Sequence, residues 1–532
     1  MQKLPGSRQE REDTLPQAMI PCFEPATGKP LGEVPVDDAR AVIAAVARSR
    51  QAQERWARSR FSERRRVLRC MLDHVLEHAD ELCELVSRDA GKTLEHAMLG
   101  EILPVCEKLR WTAAHGEKHL RPERISSGLL LHKRAHVEFQ PLGVIGVICP
   151  WNYPLQNILG PTISALMAGN GAVIKASELV AYSSRRVQRI FDEALTAAGY
   201  STDLIRIVNG YGPTGAALVS SGVDKVIFTG SMENGRRVIE ASAVNMTPLT
   251  LELGGNDALI VCDDAHLEQA AHAAMAGVFI AAGQNCLAAE RILIFDDVYD
   301  AFVARVTELV SALRQGPPAG GGSVDVGALV SPHQLDRVEA LVDAAVAQGA
   351  RVLVGGKRAL ADQGQFFEPT VLTDVTEEME IMREETFGPV MVLVRVPGEA
   401  KAIALTNRTP YGLGCTIMTK DPKRARRMAE QVVVGAVSVN EFGLTYLDQH
   451  LPFGGVRGSG FGRLNGRDGL RACTNYKSVL LDRFPLHAPS RLFPVGRTDY
   501  AMAHAAFHLL YGRGLTGRLK ALGKIVRLWS DK

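Results

Sequence analysis

The sequence predicts an α/β fold of two units, each a parallel sheet wrapped by helices on both faces. Three observations carry that expectation. From about residue 141, short β-branched runs alternate with amphipathic stretches. The same alternation restarts beyond the run LELGGNDALIVCDD (251–264). The chain has 532 residues, more than one hydrophobic core usually fills.

The elements follow in order. Residues 1–18 are polar and charged and read as a flexible tail; with no apolar core region they do not form a secretory signal. Residues 38–115 carry long helical periodicity, with Val67, Met71, Val75 and Leu76, then Leu82, Leu85 and Val86, separated by charges. PLGVIGVICP, GAVIKAS, RIVNG and KVIFTG then read as strands, each closed by Gly, Pro or a small polar residue, with helices over 155–169 and 182–198 between them. Ligands of such a sheet sit at the carboxyl ends of its strands. The second unit continues with strands in ERILIFDDV (290–298), RVLVGG (351–356), GPVMVLVRV (388–396) and CTIMTK (415–420). The Gly/Pro-rich run 315–324 reads as a surface loop. Beyond 486 the grammar changes again: Leu515, Leu519, Leu522, Val526 and Trp529 share one helical face, and Arg518, Lys520, Lys524 and Arg527 occupy others. No internal repeat at a fixed period is visible.

Composition narrows the function. Apolar residues make up 46% and charged residues 23%, which is ordinary globular usage. A net charge of +2 does not suggest a nucleic-acid partner. Nine cysteines without a CxxC pair argue against a disulfide framework and a structural zinc site, and suit a reducing, cytoplasmic setting. No run of apolar residues is long enough to predict a spanning helix.

Three residues stand out chemically. Cys286 lies in GQNCLAAER, Glu252 in LELGG, and Asn152 in PWNYP just past a predicted strand end. Each has a plain reading: a packed thiol, a strand-end carboxylate that caps amides, an asparagine that stabilises a turn. A carboxylate in an apolar run is nevertheless costly unless it is paired or functional.

Taken together, the motifs change the reading. PWNYP, KASE, FTGS, LELGG, GQNC, EETFGPV and PFGG occur in the order found in the aldehyde dehydrogenase superfamily, which the chain resembles over roughly 19–485. The 34-residue step from Glu252 to Cys286 and the 23-residue step from Asn152 to Lys175 match the family as well. The resemblance implies a Rossmann-type cofactor domain (19–122 and 142–255), an α/β catalytic domain (256–440), and oligomerisation and bridging segments (123–141 and 441–485), with a homodimer or homotetramer as the assembly. The remainder, 486–532, is a basic amphipathic tail. It also implies NAD-dependent oxidation of an aldehyde to an acid through a thioester, with no metal. An aldehyde cannot give up hydride while its carbon is trigonal, so a thiolate, Cys286, adds first. The side-chain amide of Asn152 and the backbone N–H of Cys286 then hold the oxyanion. Glu252 activates the hydrolytic water. Relatives that pass the acyl group to coenzyme A generally lack this glutamate.

No G-x-G-x-x-G joins a strand to a helix within 141–260, and the glycines of GVRGSGFGRLNG (455–466) read as turn residues. FTGS takes over the role: Gly230 allows close backbone approach, and Ser231 opens a helix whose amides meet the pyrophosphate. By resemblance, Lys175 and Glu178 meet the adenosine ribose, which favours NAD over NADP; the plain alternative is a solvated ion pair. Glu385 resembles the glutamate that holds the nicotinamide ribose, Phe387 the aromatic beside it, and Trp151 a residue of the cofactor cleft. Tyr153, Gln156, Asn157, Leu287, Phe442 and Phe453 are placed in the substrate tunnel, and Arg291 is read as structural. Leu464 stands where the family usually has glutamate, a departure that bears on the subfamily.

Beside an acyl-coenzyme-A-forming dehydrogenase, which Glu252 disfavours, two further alternatives stand. One is a succinate-semialdehyde-type dehydrogenase, although no arginine pair for a carboxylate is evident. The other is an NAD-binding scaffold docked on membranes by its tail. The tail itself reads either as a packing helix or as a membrane-surface helix.

Overall fold

The computed structural model describes residues 18–318, 323–359, 364–484 and 493–530. The expected N-terminal tail lies almost wholly outside these residues, as do 319–322 of the predicted surface loop. The chain divides into two compact units, Met1–Glu123 with Val137–Lys477, and Arg124–His136 with Ser478–Lys532.

The first unit holds two large sheets, besides two small two-stranded ones. The strands predicted from the four β-branched runs are Val144–Ile148, Gly171–Ala176, Ile205–Asn209 and Lys225–Gly230, and Leu249–Leu253 follows. Their sheet order is Leu249–Leu253, Lys225–Gly230, Val144–Ile148, Gly171–Ala176, Ile205–Asn209, and every neighbouring pair is parallel. This is the Rossmann order, and it reverses between Val144–Ile148 and Lys225–Gly230, where the carboxyl ends of the strands leave a crevice. The central strands have both faces covered and are buried at every position from Val144 to Ile148. Helix Pro154–Ala168 begins with proline at its first position and ends at Gly169 in the left-handed region (φ 90°). In the N-terminal helices Val67, Met71, Val75, Leu82 and Val86 enter the core as predicted, but Leu76 is exposed.

The second sheet has seven strands, ordered Arg351–Val354, Thr370–Thr373, Val390–Val396, Ala289–Phe295, Asp257–Val261, Gly414–Met418, Ala436–Val439. All pairs are parallel except Arg351–Val354 with Thr370–Thr373. The run read as one strand over 290–298 turns at Asp296 into helix Asp296–Ser311, whose first turn carries Asp296 and Asp297.

Residues 441–485, expected to serve oligomerisation and bridging, contribute in part to the first sheet and its core. Strand Gly460–Phe461 pairs antiparallel with Leu251 and Glu252 at the sheet edge. Leu470 and Cys473 are buried in the Rossmann-side core. The glycines make this possible: at Gly460 (φ 103°) a Cβ would run into the carbonyl of Leu251. Only the strand Thr474–Asp482 joins Lys133–Pro141 and Glu123–Ile125 in a three-stranded sheet, with Lys133–Pro141 in the middle.

Within the second unit, Lys133 pairs with Asp482, and the Arg483 N–H donates to the His132 carbonyl at 2.7 Å. Helices Asp499–Tyr511 and Leu515–Ser530 pack on each other. Among the described residues, no helix is long and apolar enough to cross a membrane.

Candidate active site

Cys286 follows a loop with an unusual backbone. Ala281 (φ 51°) and Ala282 (φ 55°) both lie in the left-handed region, and Gly283 (φ 76°) follows. Each such non-glycine residue costs on the order of 1–3 kcal/mol and persists only where its surroundings over-determine it. Here they do. The Ala281 N–H donates to Nδ1 of His96 at 3.1 Å, and desolvation lowers the His96 pKa to about 4, so the ring is neutral and can accept. The buried Gln284 side chain donates to the carbonyls of Ala281 (3.0 Å) and Ala328 (3.2 Å) and accepts from the Val330 N–H (2.9 Å). Truncating it by Gln284→Ala is expected to lower stability by about 1–3 kcal/mol, because buried backbone groups lose their partners. The midpoint of thermal unfolding reads this, and an unchanged midpoint would mean the loop holds itself.

Cys286 emerges from this loop just before strand Ala289–Phe295. Its thiol lies 3.8 Å from Oδ1 of Asn285, which also accepts from the Leu287 N–H at 3.1 Å. Burial pushes the thiol pKa up, and the carboxyls of Asp257, Glu385 and Glu252 push it further; the backbone N–H of Cys286 itself pulls it down.

Asn152 stands at the turn between strand Val144–Ile148 and helix Pro154–Ala168. Its Oδ1 accepts from Nδ2 of Asn157 (3.2 Å), which orients the amide so that its own NH₂ faces the cysteine loop. One N–H goes to the Gln284 carbonyl at 3.1 Å, leaving the second for a ligand. Beneath this turn lies a fully buried ion pair that local sequence did not reveal. Lys92 Nζ donates to Glu101 (2.9 Å) and to the Asn152 carbonyl (2.6 Å), and it lies 3.9 Å from the ring centre of Tyr153. Glu101 in turn accepts from the Gln156 N–H at 2.8 Å. Glu101 reaches inward from a π-helical turn, Met98–Ile102, a device common at functional sites.

Glu252 is the penultimate residue of the Leu249–Leu253 strand. It is 4% exposed, and neither of its oxygens has a hydrogen-bond partner. Burial raises its pKa well above that of an ordinary glutamate, and Arg463 opposes the shift. The turn of PFGG comes close: a Cβ on Gly454 would lie 2.7 Å from Oε1 of Glu252.

These three groups open onto one cavity of about 1300 Å³. Its far end is the Rossmann crevice, lined by Trp151, Lys175, Glu178, Gly230 and Ser231. Lys175 donates to Glu178 at 2.9 Å. Ser231 caps helix Met232–Ala243, its Oγ accepting from the Asn234 N–H at 3.3 Å. Between the two ends lie Glu385 and Phe387. Glu385 accepts from the Gly255 N–H at 3.0 Å, and burial raises its pKa to about 8. Phe387 has φ 53°, held by the buried carboxylate of Glu290, which accepts from the backbone N–H of Thr386 (2.9 Å) and Phe387 (2.7 Å). Its ring meets Trp151 edge to face, with centroids 5.4 Å apart. All six residues expected in the substrate tunnel line the cavity, joined by Tyr446 and Leu99, which the sequence reading missed. Arg291 points away, donating to the carbonyls of Asn256 (2.6 Å) and Leu405 (2.7 Å).

The amino-acid pattern of residues 12–479 matches the aldehyde dehydrogenase family. The chain belongs to this family. It is 38% identical over 470 residues to an aldehyde dehydrogenase-like protein of Schizosaccharomyces pombe, covering 87% of this chain and 90% of that one. It is 34% identical over 495 residues to the 4,4'-diapolycopene aldehyde oxidase of a Methylomonas species, covering 93% and 91%. Among solved structures, the NAD+ complex of an aldehyde dehydrogenase from Bacillus cereus superposes with a TM-score of 0.83 at 32% identity, covering 88% of this chain and 94% of that one. The α/β architecture is therefore the aldehyde dehydrogenase fold, and NAD-dependent aldehyde oxidation is the activity that goes with it. The cavity suits a dinucleotide: it runs from the strand-order reversal, past a capped helix start, to the unpartnered Glu252 carboxylate.

Proposed function

We propose that the chain oxidises a neutral, apolar aldehyde to its carboxylic acid through a thioester on Cys286. The observation that carries this reading is the shared cavity of the Cys286 thiol, the spare N–H of Asn152 and the unpartnered carboxylate of Glu252. Cys286 adds to the aldehyde carbon, and the oxyanion so formed takes hydrogen bonds from Asn152 Nδ2 and the Cys286 backbone N–H. NAD, when bound, would supply the hydride acceptor needed as the oxyanion collapses. Glu252, ionised, takes a proton from the water that hydrolyses the thioester. Lys175 and Glu178 would hold the adenosine ribose, Gly230 and Ser231 would admit the pyrophosphate, Glu385 would orient the nicotinamide ribose, and Trp151 and Phe387 wall the cleft.

The cavity wall supports the substrate class. Apart from Glu252, its charged residues belong to the cofactor motifs or adjoin them: Lys175 and Glu178, the helix after Ser231, Glu384 and Glu385, and Arg337, which donates to the Glu385 carbonyl at 2.9 Å. The remaining wall includes Leu99, Leu103, Leu287, Phe442, Tyr446 and Phe453. A semialdehyde carboxylate would be buried there without a cation. NADH formation over a panel of alkyl, aromatic and carboxylate-bearing aldehydes tests this. Alkyl chains are expected to be best, and a preference for succinate semialdehyde would sink the assignment.

Asn152→Ala is expected to lower kcat by about 100- to 1000-fold, the usual effect of losing one oxyanion donor. Alkylation of Cys286 by iodoacetamide should change little, which separates oxyanion support from thiol reactivity. The same reading includes a homodimer or homotetramer built through the three-stranded sheet, checked by light scattering. It also includes a cytoplasmic setting, which suits nine cysteines that are all free.

A further inference from the structure

Helix Leu515–Ser530 carries two apolar stripes. Ala521, Ile525 and Leu528 are buried or half-buried, and they form the stripe that packs within the helical pair. The other stripe is open: Leu515 is 77% exposed, Leu519 59%, Val526 60% and Trp529 78%. On the companion helix Tyr500, Phe507 and Tyr511 are exposed as well. Packing within the chain therefore uses one face and leaves the larger apolar face uncovered. An exposed apolar stripe of this length marks an interaction surface.

Charge selects the occupant. Arg518 borders the open stripe on one side, and Lys520 and Arg527 border it on the other, with Lys524 beyond. Over 493–530 the bases are Arg497, Arg513, Arg518, Lys520, Lys524 and Arg527, and Asp499 is the sole acid, whereas the whole chain has a net charge of only +2. A second copy of this surface would bring like charge against like. A neutral partner would leave the cations unmatched. An anionic bilayer surface matches both features, with the stripe at the acyl boundary and the long basic side chains reaching the phosphates.

We propose that residues 493–530 form a peripheral anchor that lays the open stripe of helix Leu515–Ser530 on an anionic lipid surface. The helix is too short and too charged to span a membrane, as lying on the surface requires.

Vesicle flotation of the full chain tests this, comparing phosphatidylcholine alone with phosphatidylcholine containing phosphatidylglycerol. The chain is expected to float with the anionic vesicles and at least tenfold less with the neutral ones. Each surface cation contributes roughly fivefold, so Lys520→Glu with Lys524→Glu should reduce binding more than tenfold. Leu519→Ser with Val526→Ser, at exposed positions, should do the same, and both double variants should keep wild-type activity on a soluble short-chain aldehyde. Equal flotation with both vesicle types, or double variants that float like the wild type, would overturn the proposal. So would a change of mass in the serine variant without lipid, which would make the stripe a contact between copies.

Discussion

Cys286→Ala is expected to abolish NADH formation, by roughly ten-thousand-fold or more, while NAD binding survives. The loss should be this large because no second nucleophile is available. Among the cavity-lining residues the other cysteine is Cys149, which is buried behind the Rossmann crevice with its thiol against the Asn157 carbonyl at 3.2 Å. NAD binding should survive because Lys175 lies on a strand of the first sheet and Glu178 and Ser231 directly follow its strands, whereas Cys286 lies in the loop that leads into the second sheet. Quenching of Trp151 fluorescence by NAD measures binding independently of turnover. Substantial residual turnover would remove the thioester from the mechanism, and loss of NAD binding would point to a damaged fold.

Glu252→Gln is expected to leave a single burst of NADH, one per active subunit, followed by turnover about 100- to 10,000-fold slower than wild type. The thiol still adds and hydride still leaves, but the thioester waits for a base. The pH dependence follows from the raised pKa of Glu252. Its basic form gains population only as the pH climbs through that raised value, so wild-type kcat should rise toward alkaline pH, and the variant should lose that limb.

The same shift acts on stability, with the opposite benefit. In the folded chain Glu252 keeps its proton above the ordinary value of 4.5. The folded state therefore binds more protons than the unfolded state across the window from 4.5 up to the raised value. Stability from this group is whole below that window and drains away as the pH rises through it. Glutamine has no such loss, so Glu252→Gln should unfold at an equal or higher temperature than wild type above neutral pH. A variant that is both slower and no less stable would mark Glu252 as a residue kept for chemistry at a cost in stability. Loss of the burst would instead assign Glu252 to the acylation half.

The legible part of this protein was carried by short-range patterns. β-Branched runs closed by Gly, Pro or a small polar residue predicted four of the six strands of the first sheet, because a strand buried on both faces must be apolar throughout. Motif order then placed Asn152, Glu252 and Cys286 in one chemistry although they are far apart in sequence. GSGFG was read as turns alone; the strand it forms is two residues long and exists only because the edge of Leu251–Glu252 is there to receive it.

By itself the sequence determined the two α/β sheets, three candidate reacting groups, and a basic amphipathic tail. Tertiary structure alone decided what those groups feel. Whether Lys92 and Glu101 are a surface pair or a buried brace under Asn152 depends on helices packing around them, which local periodicity does not encode. The left-handed backbone at Ala281 and Ala282 has no glycine to announce it; it is imposed by His96 and Gln284 from outside the loop. The apolar face of helix Leu515–Ser530 was plain in the sequence, but only the packed structure showed that a different face meets its companion helix. Residue type and spacing set chemical capacity locally, whereas burial and strain arise from contacts between segments distant in the chain.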